Sequence, residues 1–236
     1  MLLIAIPKSA SSSLLATLDK LHPEIGTVQD FSFRHNKIPE RSKQIHRVHS
    51  DIRELSSKEL EKFQDPEVIY KQHIFPSENN IQLLQDTKKV ILLRKPEEIL
   101  HAYKRGARKN HNSLPPGYSD KMKGKDLLRK SKEDGFLADL HFFYNHWYKT
   151  QKDPNTLIIQ YLEYLDHPKK IINKIEGFLG LSLTEINVIP VKARYSKLSA
   201  ADHLKTIRKK GILILKSAVS HLGLKSGIKN LKDRFG

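Results

Sequence analysis

Residues 2–15, with the sequence LLIAIPKSASSSLL, decide how the rest of the chain is organised. The first five residues are apolar, which predicts a buried strand. Pro7 and Lys8 then open a short loop of small residues, and leucines at helical spacing (Leu14, Leu15, Leu18 and Leu21) predict a helix. The N–H groups in the first turn of a helix point outward and carry positive potential, so this arrangement predicts an anion site.

The loop itself carries side chains that suit a phosphate or sulfate group. Serine hydroxyls can donate hydrogen bonds, and Lys8 adds a positive charge on a flexible stem. The loop contains no glycine and its lysine precedes the small residues, so it lacks the Gly-x-x-x-x-Gly-Lys-Ser/Thr order of nucleotide hydrolases. A strand–helix turn with a serine cap and no ligand remains an alternative. The predicted cradle consists of Lys8, Ser9, Ala10, Ser11, Ser12 and Ser13.

Composition limits the class of protein. The 236 residues suit one α/β domain, which we expect to span residues 1–236. The formal charge of +16, from 42 basic and 26 acidic residues, favours an anionic partner without choosing between nucleotide, nucleic acid, acidic glycan and membrane surface. Cysteine is absent, which excludes disulfides and thiolate metal sites. No apolar run reaches the roughly 18 residues of a membrane span. We therefore expect a cytoplasmic protein, and no metal site is predicted.

A second buried strand is predicted at residues 68–70, and residues 71–76 are expected to leave its end. Residues that leave the carboxyl end of a parallel strand face the ligand crevice. His73 is therefore expected near Lys8 if the two strands are neighbours. A structural histidine at a strand end is the alternative.

The clearest strand is predicted at residues 88–93, and Arg94 follows it directly. Pro96 suits the first turn of a helix, and Glu97 and Glu98 complement the positive end of that helix. Arginine is suited to bidentate recognition of phosphate. Arg94 is therefore a candidate phosphate ligand at the same edge of the sheet.

The remaining sequence predicts one more strand, two helices and two basic segments. An aromatic stripe at residues 136–147 predicts a core helix, residues 155–161 a strand, and residues 171–179 a helix that Gly180 terminates. A basic insertion at about residues 104–132 is expected to be either a solvated loop or a positively charged lip over an anionic ligand. A basic helical segment is expected at about residues 192–236, and contact of this segment with a membrane surface is a weaker alternative.

Several of these stretches, in this order, resemble the sulfotransferase family. Residues 7–13 resemble its 5′-phosphosulfate loop, and the Ala-Ser form of the loop is closest to carbohydrate sulfotransferases. Residues 71–73 resemble the segment that carries the catalytic histidine of that family, and residues 92–96 resemble its 3′-phosphate motif. The strand and helix at residues 155–181 resemble its C-terminal half. Ala102 stands where the family has a serine that also binds the 3′-phosphate.

The resemblance implies a three-layer, P-loop-like α/β fold with a central parallel sheet. It also implies sulfuryl transfer from 3′-phosphoadenosine 5′-phosphosulfate (PAPS) to an acceptor hydroxyl, which we expect to belong to a carbohydrate. His73 would accept the proton, with Glu40 as the fallback base, and Lys8 would stabilise charge. Residues 9–13 would hold the phosphosulfate and Arg94 the 3′-phosphate. Two alternatives remain: a nucleotide-dependent kinase on a degenerate phosphate loop, and a non-enzymatic basic module that binds nucleic acid or membrane.

Overall fold

The computed structural model describes residues 1–29, 52–108, 114–115 and 117–183. The chain divides into two compact units, Met1–Pro190 and Val191–Gly236, and every described residue belongs to the first. The basic segment expected at about residues 192–236 and the fallback base Glu40 lie outside the described residues. The single domain spanning residues 1–236 therefore stays a prediction.

Six strands in the described part of the chain form a parallel sheet. They run in the order β2-β4-β1-β5-β6, with β3 beside β4. The strand of the predicted cradle, β1, therefore lies in the middle of the sheet, between β4 and β5. The bounds are β1 (Leu2–Ala5), β2 (Gly26–Gln29), β3 (Ile52–Arg53), β4 (Val68–Ile74), β5 (Lys89–Leu93) and β6 (Thr156–Gln160).

Helices connect these strands and flank the sheet, which confirms the predicted α/β class. Short 3-10 turns at Ser57–Glu59, Glu61–Gln64 and Thr150–Lys152 complete the connections. No helix within the described ranges is both long and apolar enough to cross a bilayer. The helices are α1 (Ser11–Leu21), α2 (Glu78–Leu83), α3 (Pro96–Arg108), α4 (Gly124–Glu133), α5 (Phe136–Lys149), α6 (Tyr161–Asp166) and α7 (Pro168–Leu179).

The aromatic stripe of α5 packs into the core, as its helical spacing predicts. Phe143 and Trp147 are fully buried in one cluster with residues of β1, β5 and α3. The indole Nε1 of Trp147 donates a hydrogen bond to the carbonyl of Ile74 at 3.1 Å. Since Ile74 is the last residue of β4, this bond fixes the end of the strand that carries His73. The predicted end of α7 is also confirmed, because Gly180 adopts φ 78° there.

Strand β4 is longer than the sequence predicts. The prediction ended the strand at Tyr70, but β4 continues through Ile74, so Lys71, Gln72 and His73 are strand residues. Lys71 pairs with β1 and His73 with β3, and all three polar side chains are buried. Backbone pairing with neighbours on two sides extends the strand despite its polar side chains.

The basic insertion at about residues 104–132 is only partly a loop. Helix α3 continues to Arg108, and α4 occupies the end of the insertion. Leu127 of α4 is 1% exposed and packs in the core cluster, which holds this helix on the domain. The described part of the insertion thus includes packed helix as well as charged surface.

Candidate active site

The loop between β1 and α1 has an unusual backbone. Lys8 and Ala10 both lie in the left-handed region, with φ values of 70° and 69°. This conformation costs a residue other than glycine roughly 1–2 kcal/mol. Strain of this kind accumulates at functional sites, and turns that combine right-handed and left-handed residues form concave backbone surfaces that bind anions. The loop residues of the predicted cradle therefore have a backbone conformation that is suited to an anion.

The N-terminus of α1 supports the same interpretation. Ala10 caps the helix without any side-chain hydrogen bond, although three serines follow it. The N–H groups of Ser13 and Leu14 donate to the carbonyl of Ala10 at 2.9 and 3.1 Å. The N–H groups of Ser11 and Ser12 have no acceptor inside the helix, because they lie in its first turn. These two groups are therefore the helix donors suited to an anion.

The hydroxyl of Ser9 has a structural role instead of the ligand-binding role that the sequence suggests. Its hydroxyl donates to the carbonyl of Ile6 at 2.6 Å, and the residue is fully buried. The hydroxyl thus holds the loop closed, which corrects the expectation that it faces the ligand. Only the backbone N–H of Ser9 remains suited to that task. Ser11 and Ser13 are buried and Ser12 is exposed.

His73 lies beside this loop, as expected for a neighbouring strand. Its Nδ1 is 2.6 Å from the carbonyl oxygen of Ala5, the last residue of β1, and the side chain is largely buried. A carbonyl oxygen can only accept a hydrogen bond, so Nδ1 carries the proton. In the neutral ring the basic lone pair is then on Nε2. Ala5 therefore fixes both the orientation and the tautomer of His73.

Arg94 reaches the loop from the opposite side, at the end of β5. Its Nη1 donates to the carbonyl of Lys8 at 2.9 Å, and its Nε donates to the carboxylate of Glu98 at 3.2 Å. The guanidinium carbon lies 3.9 Å from the centre of the Tyr161 ring. These three contacts hold a planar, permanently charged donor group against the loop.

The side chain of Lys8 extends toward α3. Its Nζ lies 5.7 Å from the ring centre of Tyr103, a buried residue of that helix. This distance is within the range of a cation–π interaction. The cationic group of Lys8 is thus placed on the α3 side of the loop, while its main-chain carbonyl is held by Arg94.

The structure brings the sequence-predicted residues of three segments to one edge of the sheet. The loop occupies the centre, with His73 on one flank and Arg94 on the other. The sequence reasoning missed the contributions of Glu98 and Tyr161, which hold Arg94. Helical spacing could not have identified Glu98 as a partner of Arg94, because Arg94 precedes the helix that carries Glu98.

This fold and loop define an α/β protein with a candidate anion site at a strand–helix turn. A model of the sulfotransferase domain family matches residues 1–216. The chain therefore belongs to the sulfotransferase domain family, which confirms the family recognised from the sequence. Comparison with curated proteins finds no match.

Solved structures share the fold at low sequence identity. A sulfotransferase from Alicyclobacillus acidocaldarius is 15% identical with a TM-score of 0.52, and the match covers 85% of this chain and 91% of that one. Mouse sulfotransferase SULT7A1 complexed with PAP is 19% identical with a TM-score of 0.53, over 78% and 59% of the two chains. Retinol dehydratase in complex with androsterone and inactive cofactor PAP is 14% identical with a TM-score of 0.50, over 78% and 60%. The chain thus spans about three fifths of the latter two proteins.

Proposed function

We propose that the protein transfers a sulfuryl group from PAPS to an acceptor hydroxyl, with the β1–α1 loop holding the transferred end of the donor. The observation that carries this proposal is that His73 and Arg94 reach the loop from the two strands that flank β1. Membership of the sulfotransferase domain family supports the reaction. PAP, the nucleotide that PAPS becomes when it loses the sulfuryl group, is bound in two solved proteins of similar fold, which supports PAPS as the donor.

The donor is held by backbone and guanidinium groups. The N–H groups of Ser9, Ser11 and Ser12 bind the 5′-phosphosulfate at the positive end of α1. Arg94 binds the 3′-phosphate with the part of its guanidinium that Glu98 and the Lys8 carbonyl do not use. A guanidinium has five N–H donors, and these two contacts use two of them.

His73 acts as the general base. The acceptor oxygen forms a bond to sulfur while the bond from sulfur to the bridging oxygen of the 5′-phosphate breaks, and the acceptor proton passes to Nε2 of His73. The bond from Nδ1 to the carbonyl of Ala5 fixes the tautomer that leaves Nε2 basic. It also stabilises the imidazolium that forms. A positioned base of this kind accelerates transfer by roughly 10²–10⁴-fold.

Lys8 stabilises the charge that develops on the leaving phosphate. Because this negative charge grows as the bond to sulfur breaks, a nearby ammonium group favours the transition state more than the ground state. The left-handed backbone of Lys8 supports this role. It directs the carbonyl of Lys8 toward Arg94 and the ammonium group toward α3.

We propose a carbohydrate as the acceptor. The Ala-Ser form of the loop resembles carbohydrate sulfotransferases, and exposed lysines before and within α4 suit an acidic glycan. The name of one solved relative mentions androsterone, so small alcohols belong in the same test. We expect no nucleic-acid partner, and the cytoplasmic location stays a prediction.

The proposal is tested by following a radiolabelled sulfuryl group from PAPS to a panel of acceptors. The panel contains neutral oligosaccharides, acidic oligosaccharides and small alcohols. We expect label on one class of acceptor together with stoichiometric release of adenosine 3′,5′-bisphosphate. A parallel incubation with γ-labelled ATP and Mg²⁺ serves as the comparison. Label transfer from ATP and none from PAPS would contradict the proposal and favour a kinase.

A further inference from the structure

Side chains from two different helices hold the chain directly after His73. Nδ2 of Asn80, in α2, donates a hydrogen bond to the carbonyl of Phe75 at 2.7 Å. The indole of Trp147, in α5, donates to the preceding carbonyl, that of Ile74. Asn80 and Trp147 are both fully buried. Two consecutive carbonyls at the end of β4 are therefore fixed by donors from outside the sheet.

The amide of Asn80 also links β4 to β3. Its Oδ1 accepts a hydrogen bond from the backbone N–H of Leu55 at 2.9 Å, while its Nδ2 bonds Phe75. Leu55 lies two residues after β3, a strand of two residues that pairs with β4 at His73 and Ile74. The amide thus continues the connection between the two strands past the point where both end.

Helix α2 is itself attached to the end of β3, so the amide has a fixed base. The backbone N–H of Asn80 donates to Oγ of Ser77 at 3.1 Å, and this hydroxyl donates to Oε2 of Glu54 at 2.7 Å. Glu54 directly follows β3. The two ends of the amide are not interchangeable, because the carbonyl of Phe75 can only accept and the N–H of Leu55 can only donate. A buried amide that is bonded at both ends holds one orientation.

The placement of His73 depends on these contacts. Its ring bonds the carbonyl of Ala5 on the β1 side, whereas its backbone pairs with Ile52 of β3 on the other side. Pairing of β4 with β1 extends to Gln72. The position of the imidazole is therefore determined by β1 through the ring, and by β3 and the residues after the strand through the backbone. Misplacement of a reacting group by about 1 Å can lower a rate roughly 10²-fold.

We propose that Asn80 is a positioning residue for His73. Its amide holds the end of β4 against β3, which keeps Nδ1 of His73 on the carbonyl of Ala5 and keeps Nε2 in place for the acceptor proton. This inference rests on the proposed function, in which His73 is the general base. It predicts that loss of the amide impairs transfer and leaves donor binding unchanged, because the donor loop is held by Ser9 and Arg94.

Kinetics and nucleotide affinity of two Asn80 variants test the inference. Asn80→Ala removes both amide bonds and should lower kcat about 10–100-fold, with unchanged calorimetric affinity for adenosine 3′,5′-bisphosphate. Asn80→Asp has nearly the same size and keeps an acceptor for the N–H of Leu55, but its carboxylate cannot donate to Phe75. Measured at pH 8, it should show the same separation of kcat from nucleotide affinity, and it decides the test if Asn80→Ala does not fold.

A proton NMR signal reports the placement of His73 without any turnover. The Nδ1–H of His73 is buried and hydrogen-bonded, so it should exchange slowly with water in the wild type, and its loss in His73→Gln identifies it. The signal should broaden or disappear in both Asn80 variants.

Two control variants should retain both the signal and kcat. Asn155→Ala removes an amide bond to the carbonyl of Gln85, beside the start of β6. Ile175→Ala removes a buried side chain from α7, which packs beside β6 at the edge of the sheet, and so lowers stability at a distance from β4.

The outcomes separate this inference from the proposed function. If the wild type transfers no sulfuryl group from PAPS, the proposed function fails, and the NMR signal alone decides whether Asn80 places His73. Persistence of the signal in both Asn80 variants would overturn the inference. If the wild type is active, a lower thermal midpoint with unchanged kcat in the Asn80 variants would also overturn it, because Asn80 would then only stabilise the fold. An equal loss of kcat in Ile175→Ala would refute it as well, since lower stability alone would explain the effect.

Discussion

Replacement of Arg94 by alanine should lower the affinity for a 3′-phosphorylated nucleotide more than the affinity for AMP. The side chain is 10% exposed, and it is held by Glu98, the Lys8 carbonyl and the Tyr161 ring. It is therefore already in place before a ligand binds, and little of the interaction energy is spent on ordering it. The 3′-phosphate is the only group that distinguishes adenosine 3′,5′-bisphosphate from AMP.

The magnitude follows from the contacts that the variant loses. A hydrogen bond to a charged group contributes about 1.5–3 kcal/mol, which corresponds to roughly tenfold to 150-fold in affinity. Arg94→Ala loses at least one such bond to the 3′-phosphate. It also loses the bond to the carbonyl of Lys8, which loosens the loop for both nucleotides. We therefore expect a small loss of affinity that both nucleotides share, and a further tenfold or greater loss of affinity for the bisphosphate alone.

Calorimetry with both nucleotides measures this difference in loss directly. Arg129→Ala is the matched control, since Arg129 is 69% exposed and its removal changes the net charge by the same amount. Arg129→Ala should lower the affinity for both nucleotides only slightly, and this loss of affinity should disappear at high salt. Equal losses for the two nucleotides in Arg94→Ala would refute the reasoning, because Arg94 would then act only through the loop.

Three further predictions concern other parts of the domain. Lys8→Ala should lower kcat about 10²–10³-fold in a transfer assay. Lys152 is an exposed lysine, and Lys152→Ala should leave kcat unchanged as a control. A near wild-type kcat in Lys8→Ala would show that Lys8 has no part in the mechanism. Three exposed lysines lie near the start of α4: Lys121, Lys123 and Lys125. Neutralising them should raise the KM for an acidic acceptor and make that KM less dependent on salt. Unchanged acceptor kinetics would favour a solvated surface. Burial tends to raise the pKa of Asp153, but hydrogen bonds from Lys89 and Thr156 outweigh it and leave that pKa below its ordinary value of 3.8. The free energy of unfolding should therefore fall as the pH drops below about 4, and Asp153→Asn should reduce this acid-side fall in denaturant titrations; an unchanged acid limb would exclude the pair as its cause.

The elements that the sequence predicts well are those with contiguous apolar runs. β1 and β5 are central, buried strands, β6 has such a run although it lies at the edge of the sheet, and the leucines after the loop mark α1. Among the elements that were not predicted, two have clear physical reasons. β2 is a short edge strand with mostly exposed residues, and α4 contains so many charged residues that its sequence predicts a loop. The end of β4 was missed because its buried side chains are polar.

Some features of the candidate site could be predicted from local sequence, whereas others depend on contacts between distant residues. The loop, His73 and Arg94 each follow a predicted strand, so their common edge could be predicted from the rule for parallel sheets. The contact between Arg94 and the Lys8 carbonyl joins residues 86 positions apart, and nothing local encodes it. Tyr144 belongs to a stripe that the sequence assigns to the core. Only the structure shows that its ring is partly exposed, whereas Phe143 and Trp147 are fully buried.

The most direct test of the account is the rate of sulfuryl transfer in His73→Gln, measured together with nucleotide affinity and pH dependence. The account predicts that adenosine 3′,5′-bisphosphate binds the variant as well as the wild type, while kcat falls about 10²–10⁴-fold and the low-pH limb of kcat disappears. His141→Gln is the matched control, since His141 is 43% exposed and lies on α5. Transfer within a few-fold of the wild-type rate would contradict the account and make Glu40 the leading candidate for the base. Joint loss of nucleotide binding and folding would contradict it too, because His73 would then be a structural histidine.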